Sequence, residues 1–220
     1  MNHLFHFLMI FGGLMLAMIP ADTLHSQQLE ENPELDARVK QFLKSHENQW
    51  HNWNVPSSDG RTLYDLILKN GYTRALEIGT STGRSGIWIA WALSKTGGKL
   101  TTIEIDKTRY REALANFKKA GVAKYIDARL ADAHDLVPQL DGPFDFVFSD
   151  ADKAWYLNYF KAVDPKLEVG GCFTAHNMSM PVPGIREFRA YIRDLSNYET
   201  TIDNSSGSGL SISYKRRESQ

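Results

Sequence analysis

The sequence predicts an α/β protein built on a doubly wound, mostly parallel sheet of seven strands, with an antiparallel hairpin at its C-terminal edge. Three observations carry this. From Arg74 onward, apolar runs of strand length alternate with stretches of helical periodicity, the pattern that lays helices on both faces of a parallel sheet. The first run ends in a glycine-bounded turn, Gly79 to Gly83, that leads directly into a helix. The last two runs are joined by DNSSGSG, a loop whose length and glycine content suit a hairpin.

In chain order, Leu35, Val39, Phe42 and Leu43 fall at helical spacing and predict a helix over Glu34 to Ser45. The following QWHNWNVPSSDG crowds Trp50, Trp53 and Val55 into a loop with a proline and a turn. It reads as a lid packed on the core, or as a wall of an acceptor pocket, or both. Leu63, Leu66 and Ile67 mark a helix over Arg61 to Lys69 that ends at Asn70-Gly71. Arg74 to Ile78 is the first strand and Arg84 to Leu93 the helix after the glycine turn. Lys99 to Ile103, Ile126 to Leu130, Phe144 to Ser149 and Gly171 to Ala175 are the next four strands. Between them lie helices marked by Tyr110, Ala113, Leu114 and Phe117, and by Tyr156, Tyr159, Phe160 and Val163. A helix over Gly184 to Leu195 precedes the closing strands, Tyr198 to Ile202 and Leu210 to Tyr214.

Composition narrows the class. Hydrophobic content of 42% and charged content of 23% are those of a globular protein able to bury a core. A net charge of −1 and no basic block longer than Lys215-Arg216-Arg217 argue against nucleic acid as a partner. The single cysteine, Cys172, excludes an internal disulfide and sits in an apolar setting that suits a buried thiol. Residues 1–26 differ from the rest. The apolar run from Leu4 to Ile19, ended by Pro20, fits a signal peptide or short membrane anchor better than a buried helix, and implies export or membrane contact through residues 4–19. The alternative is a cytoplasmic protein with a buried N-terminal helix. The simplest parse is therefore a targeting segment over 1–26 and one catalytic domain over 27–220, whose residues 27–60 supply the first helix and the lid.

Ligands of doubly wound sheets bind at the carboxyl ends of the strands, and candidate residues recur there. Glu77-x-Gly79-x-x-x-Gly83 departs from the dinucleotide fingerprint because a carboxylate sits at the strand end. That carboxylate would repel a pyrophosphate but suits a cofactor bearing an amino group and a sulfonium, which disfavours a nicotinamide-dependent oxidoreductase. Here the residues resemble motif I of class I S-adenosylmethionine-dependent methyltransferases. Glu104 ends the second strand at the offset where an acidic residue takes ribose hydroxyls; Asp106 is the runner-up for that role and is also placed to cap the next helix. Ser85, in the first turn after Gly83, is placed to hold a carboxylate with nearby amides. Ala133, in Ala131-Asp132-Ala133, allows backbone N–H groups to meet an adenine edge, and His134 beside it reads as a packing histidine. Asp150-Ala151-Asp152-Lys153 and His176-Asn177 follow the fourth and fifth strands, within reach of one cation.

Taken together, Asn54-Val55, LEIGTSTGRS, TIEID, SDADKAWY, GGCFTAHN and GSGLSISYKRR resemble the cation-dependent O-methyltransferases, the group containing the catechol and caffeoyl-coenzyme A enzymes. The resemblance spans Asn54 to the end, with the motifs in order. It implies a Rossmann-like methyltransferase fold, S-adenosylmethionine as cofactor, and contacts to it from Val55, Glu77, Gly79, Thr80, Ser85, Glu104, Ala133 and Asp152. It further implies a small phenolic or catechol-like acceptor, a homodimer, Lys153 as the base, and a divalent cation held by Asp150 and Asn177. His176 stands where the family has Asp, which removes a negative charge and favours manganese, iron, zinc or no metal over magnesium. The alternative for His176 is a neutral structural histidine hydrogen-bonded near the cofactor, and it would also be the sign of a cofactor-binding module that has lost catalysis. For Lys153, the alternative to the base is an ion pair with Asp150 or Asp152.

Overall fold

A computed structural model describes residues 29–50 and 53–218. The apolar run over residues 4–19, the targeting segment of 1–26 and two lid residues, His51 and Asn52, lie outside the described residues. Seven strands form one sheet in the order β3-β2-β1-β4-β5-β7-β6. They are β1 (Arg74–Ile78), β2 (Lys99–Glu104), β3 (Ile126–Leu130), β4 (Phe144–Ser149), β5 (Leu167–Ala175), β6 (Tyr198–Asp203) and β7 (Leu210–Lys215). The first five pair in parallel, and β7 pairs antiparallel with both β5 and β6. The expected doubly wound sheet and terminal hairpin are thus observed, with β7 inserted beside β5 and β6 at the edge.

The helices are α1 (Pro33–Ser45), α2 (Ser57–Asn70), α3 (Arg84–Thr96), α4 (Lys107–Ala120), α5 (Ala133–Gln139), α6 (Tyr156–Val163) and α7 (Pro183–Arg193). One apolar layer joins α1 through α4 to one face of the sheet, around Leu63, Ile67, Ile87 and Phe117. The other joins β-strand residues such as Leu76, Val147 and Phe173 to Tyr156, Phe160, Ile185 and Phe188 of α6 and α7. Glycine permits the close approach of α2 to α3: a Cβ on Gly60 would lie 2.2 Å from Trp88 Cδ1. Cys172 is buried and its thiol is pushed up to about 12, as expected of an unreactive core residue.

Two differences from the sequence reading bear on the site. Helix α2 begins at Ser57, not Arg61, because Pro56 sets the chain for helix entry and SSDG continues as the first turn. Asp59 thereby becomes a buried helical residue, where the sequence suggested a loop. A short helix, α5, also follows β3, with Asp132 accepting from His134 N at 2.9 Å as its N-cap.

Candidate active site

The strand ends are fixed by backbone hydrogen bonds that step from one strand to the next. Gly79 N donates to Ile103 O, Asp150 N to Ile78 O, His176 N to Ser149 O and Ala131 N to Glu104 O, at 2.8 to 3.1 Å. The strand order reverses between β1 and β4, and a cavity of about 740 Å³ opens there, the place where doubly wound sheets bind ligands. Gly79 is required at this point: its φ is +99°, and a Cβ would lie 2.8 Å from Asp150 O. Ser81 (φ 50°) and Asn177 (φ 59°) also line the cavity in the left-handed region. A second cavity of about 610 Å³, between α7 and the hairpin, is lined by Arg186, Arg189 and Arg193 and by none of the strand-end candidates.

Of the residues expected at the site, Gly79, Glu104, Ala133, Asp150, Asp152, Lys153, His176 and Asn177 line the cavity at the strand ends. Val55, Glu77, Thr80 and Ser85 are buried and do not. Glu77 lies fully buried, held by bonds from Ser85 and Thr102. Burial pushes its carboxyl up to about 8 against those bonds, and its Oε1 has no hydrogen-bond partner. Ser85 therefore spends its hydroxyl on Glu77, where the sequence suggested a ligand carboxylate. Asn54 adds to this end of α3, accepting from Arg84 N at 3.3 Å and donating to Thr82 Oγ1 at 2.7 Å.

Glu104 is 5% exposed, and its carboxylate is already engaged. Oε2 accepts from Ser81 N at 2.7 Å, and Oε1 from Asp106 N at 2.9 Å and Arg109 Nε at 3.2 Å. Asp106 caps α4 through Thr108 N and Arg109 N, as its position suggested. Ile105 lines the cavity and is 61% exposed, an apolar surface of the kind that covers an adenine ring. His134 stacks on Trp155 with ring centroids 3.9 Å apart, and its Nε2 lies 3.4 Å from Asp152 Oδ2. It is a packing histidine that also walls the cavity. The exposed Ile105 and the Trp155 stack escaped sequence reasoning, because an apolar side chain has no signature until its neighbours leave it uncovered.

After the end of β4, Lys153 Nζ donates to Asp150 Oδ1 at 2.6 Å and to Ala151 O at 3.1 Å. His176 is 4% exposed. Its Nε2 bonds Asp59 Oδ2 at 2.7 Å, and its Nδ1 lies 3.2 Å from Asp150 Oδ2, an ion-pair contact too oblique for a well-directed hydrogen bond. Burial pulls the imidazole pKa down, but Asp150 and Asp59 more than offset that and raise it to about 9. Asp59 itself is held low despite its burial, by His176 and Ser206. The divalent site implied by the resemblance does not fit this arrangement. Both oxygens of Asp150 face cationic groups, the imidazole lies between two carboxylates, and among the described residues no three His, Cys, Asp or Glu side chains converge as ligands.

A strand-glycine-helix turn, an acidic residue closing the second strand and a lysine facing the same cavity define a class: a Rossmann-like enzyme that holds a nucleoside cofactor against a small acceptor. Residues 25–180 match the O-methyltransferase family, and the chain belongs to it. It is similar to caffeoyl-CoA O-methyltransferase 1 of Eucalyptus globulus, at 31% identity over 80% of this chain and 76% of the relative. Among solved structures it resembles an O-methyltransferase from Bacillus cereus in complex with SAH (26% identity, TM-score 0.72, 82% of this chain and 91% of that one). It also resembles TomG from Streptomyces achromogenes, an O-methyltransferase involved in tomaymycin synthesis, in complex with SAM (27% identity, TM-score 0.70, 87% and 93%). The chain is thus an S-adenosylmethionine-dependent O-methyltransferase. One observation here fits the cofactor: the close backbone approach that only glycine allows at Gly79, on the cavity wall at the motif I turn.

Proposed function

We propose that this enzyme methylates a phenolic or catechol-like hydroxyl of a small acceptor, with Lys153 as the base. The observation that carries the reading is Lys153 on the wall of the cavity that Glu104 also lines, together with Trp53, Pro56 and Met180, which offer an apolar surface for a flat ring. The names of the caffeoyl-CoA relatives support the same acceptor class. When bound, S-adenosylmethionine supplies a methyl group on a sulfonium, open to in-line displacement.

On this reading Glu104 accepts from the ribose hydroxyls, Ile105 covers the adenine, and Ala133 lets the backbone approach the adenine edge. Asp152 and Gly79 shape the cofactor side, while Lys153 faces the acceptor. Lys153 Nζ would take the acceptor's hydroxyl proton, and the bound cofactor would supply the methyl group to the oxygen so exposed. The proton then leaves the ammonium to solvent. Asp150 fixes the position of Lys153 Nζ through one oxygen and meets His176 Nδ1 with the other.

The test is turnover of labelled cofactor with catechol and with aliphatic alcohols. Methylated catechol in wild type and its loss in Lys153→Met, with cofactor affinity kept, supports the proposal. Tight cofactor binding without turnover on any hydroxyl would favour a binding module instead. We also propose that residues 1–26 direct export or anchoring, which the apolar run over 4–19 supports.

A further inference from the structure

Asp59 is a buried carboxylate to which methyl transfer as described gives no role. It sits in the first turn of α2, 2% exposed, and reaches the ends of β4 and β5 through His176. Its Oδ2 accepts from His176 Nε2 at 2.7 Å and from Ser206 Oγ at 2.9 Å, and its Oδ1 accepts from Ser58 Oγ at 3.3 Å. Carboxylates only accept, so a ring nitrogen directed at one must bring a proton or share a cation with it. His176 faces Asp59 at one nitrogen and Asp150 at the other, and Lys153 faces the second oxygen of Asp150. The result is an alternating row of charged groups that runs from the buried Asp59 through His176 and Asp150 to Lys153 on the cavity wall.

We propose that Asp59 is a positioning residue that keeps His176 as a fixed positive group, and that the row Asp59–His176–Asp150 does the charge work of a divalent cation, so that this chain works without a metal. His176 and Lys153 thereby divide the two oxygens of Asp150 between them, so that Asp150 has no oxygen left to offer a metal. A carboxylate behind an imidazole also orients metal-bound histidines. What separates the two arrangements here is that Asp150 meets Nδ1 directly and already holds Lys153. Replacing a family carboxylate by His176 and pairing it with Asp59 are then one change: the imidazole removes a ligand charge and supplies a cation in the same place.

The test uses the full chain, and only its turnover arm rests on the methyltransferase reading above. Elemental analysis and calorimetry with magnesium and manganese should find no stoichiometric metal in wild type, and ¹⁵N spectra should show both His176 ring nitrogens protonated near neutral pH. His176→Asp should gain magnesium binding. Asp59→Asn should free one ring nitrogen of its proton and lower kcat on catechol about tenfold with the KM for cofactor little changed; Asp59→Glu should restore part of it. If Asp59→Asn does not fold, Ser206→Ala, which weakens the same carboxylate's support, should move the His176 signals in the same direction. One equivalent of bound metal in wild type, turnover abolished by chelation and restored by metal, or a singly protonated His176 would each overturn the proposal. If cofactor binds but catechol is not turned over, the acceptor reading fails, and the metal and ¹⁵N results still decide this one.

Discussion

The exchange Glu104→Gln tests how the cofactor's ribose is held. A carboxylate offers about two acceptor sites on each oxygen. On Oε1 both are taken, by Asp106 N and Arg109; on Oε2 one is taken, by Ser81 N. One ribose hydroxyl can therefore bond without disturbance, and a second must displace Arg109, which is partly exposed and free to turn away. Glutamine keeps one acceptor oxygen but points an NH₂ group at a backbone N–H, so the variant loses a charge-assisted acceptor and gains a clash of donors. Losing one to two such bonds costs about 2 kcal/mol, or roughly thirtyfold in Kd. Calorimetry with S-adenosylhomocysteine, well below the melting temperature, measures this. Arg109→Ala is the companion: it removes the competitor, so affinity should stay within about threefold of wild type or improve, since a partly exposed ion pair contributes little. Wild-type affinity in Glu104→Gln would refute the assignment, and a large loss in Arg109→Ala would refute the competition.

Three other outcomes follow from the structure. Gly60→Ala drives a methyl group into the buried Trp88 ring and should cost about 1 to 3 kcal/mol of stability, read as a lower melting temperature with cofactor affinity little changed. His176 has a folded-state pKa raised from 6.5 to about 9, so its contribution to stability is complete below the unfolded value and is lost as pH rises through about 9; melting scans should fall over that window in wild type and fall less in His176→Gln. A chain beginning at Gln27 should fold and bind S-adenosylhomocysteine, because the buried apolar residues described run from Leu35 onward and Glu30 N bonds Lys95 O at 2.8 Å; failure to fold would place residues 1–26 in the core.

The sheet was legible in the sequence, and so were the positions of Gly79 and Glu104 at its strand ends. Alternation of short apolar runs with helical periodicity is a local property, and so is a glycine turn closing on a helix. These marked β1 to β5, the hairpin, Gly79, Glu104 and the cap at Asp106 without reference to anything distant. The helix end at Gly71 was legible for the same reason, since a left-handed C-cap is a one-residue event.

Only the tertiary structure decided which side of a strand end each side chain faces, and what meets it there. Glu77 and Ser85 carry the chemistry of a binding pair, yet the packing of α3 turns them toward one another beneath the cavity. Asp59 gave no local sign at all. It lies 117 positions from His176 in the chain, in a segment whose serines, aspartate and glycine have the composition of a turn, and Pro56 starts the helix that buries it. Charge pairing across such a separation depends on where α2 docks, and that is fixed by Gly60 against Trp88 and by the apolar layer over the sheet, not by the residues that carry the charge.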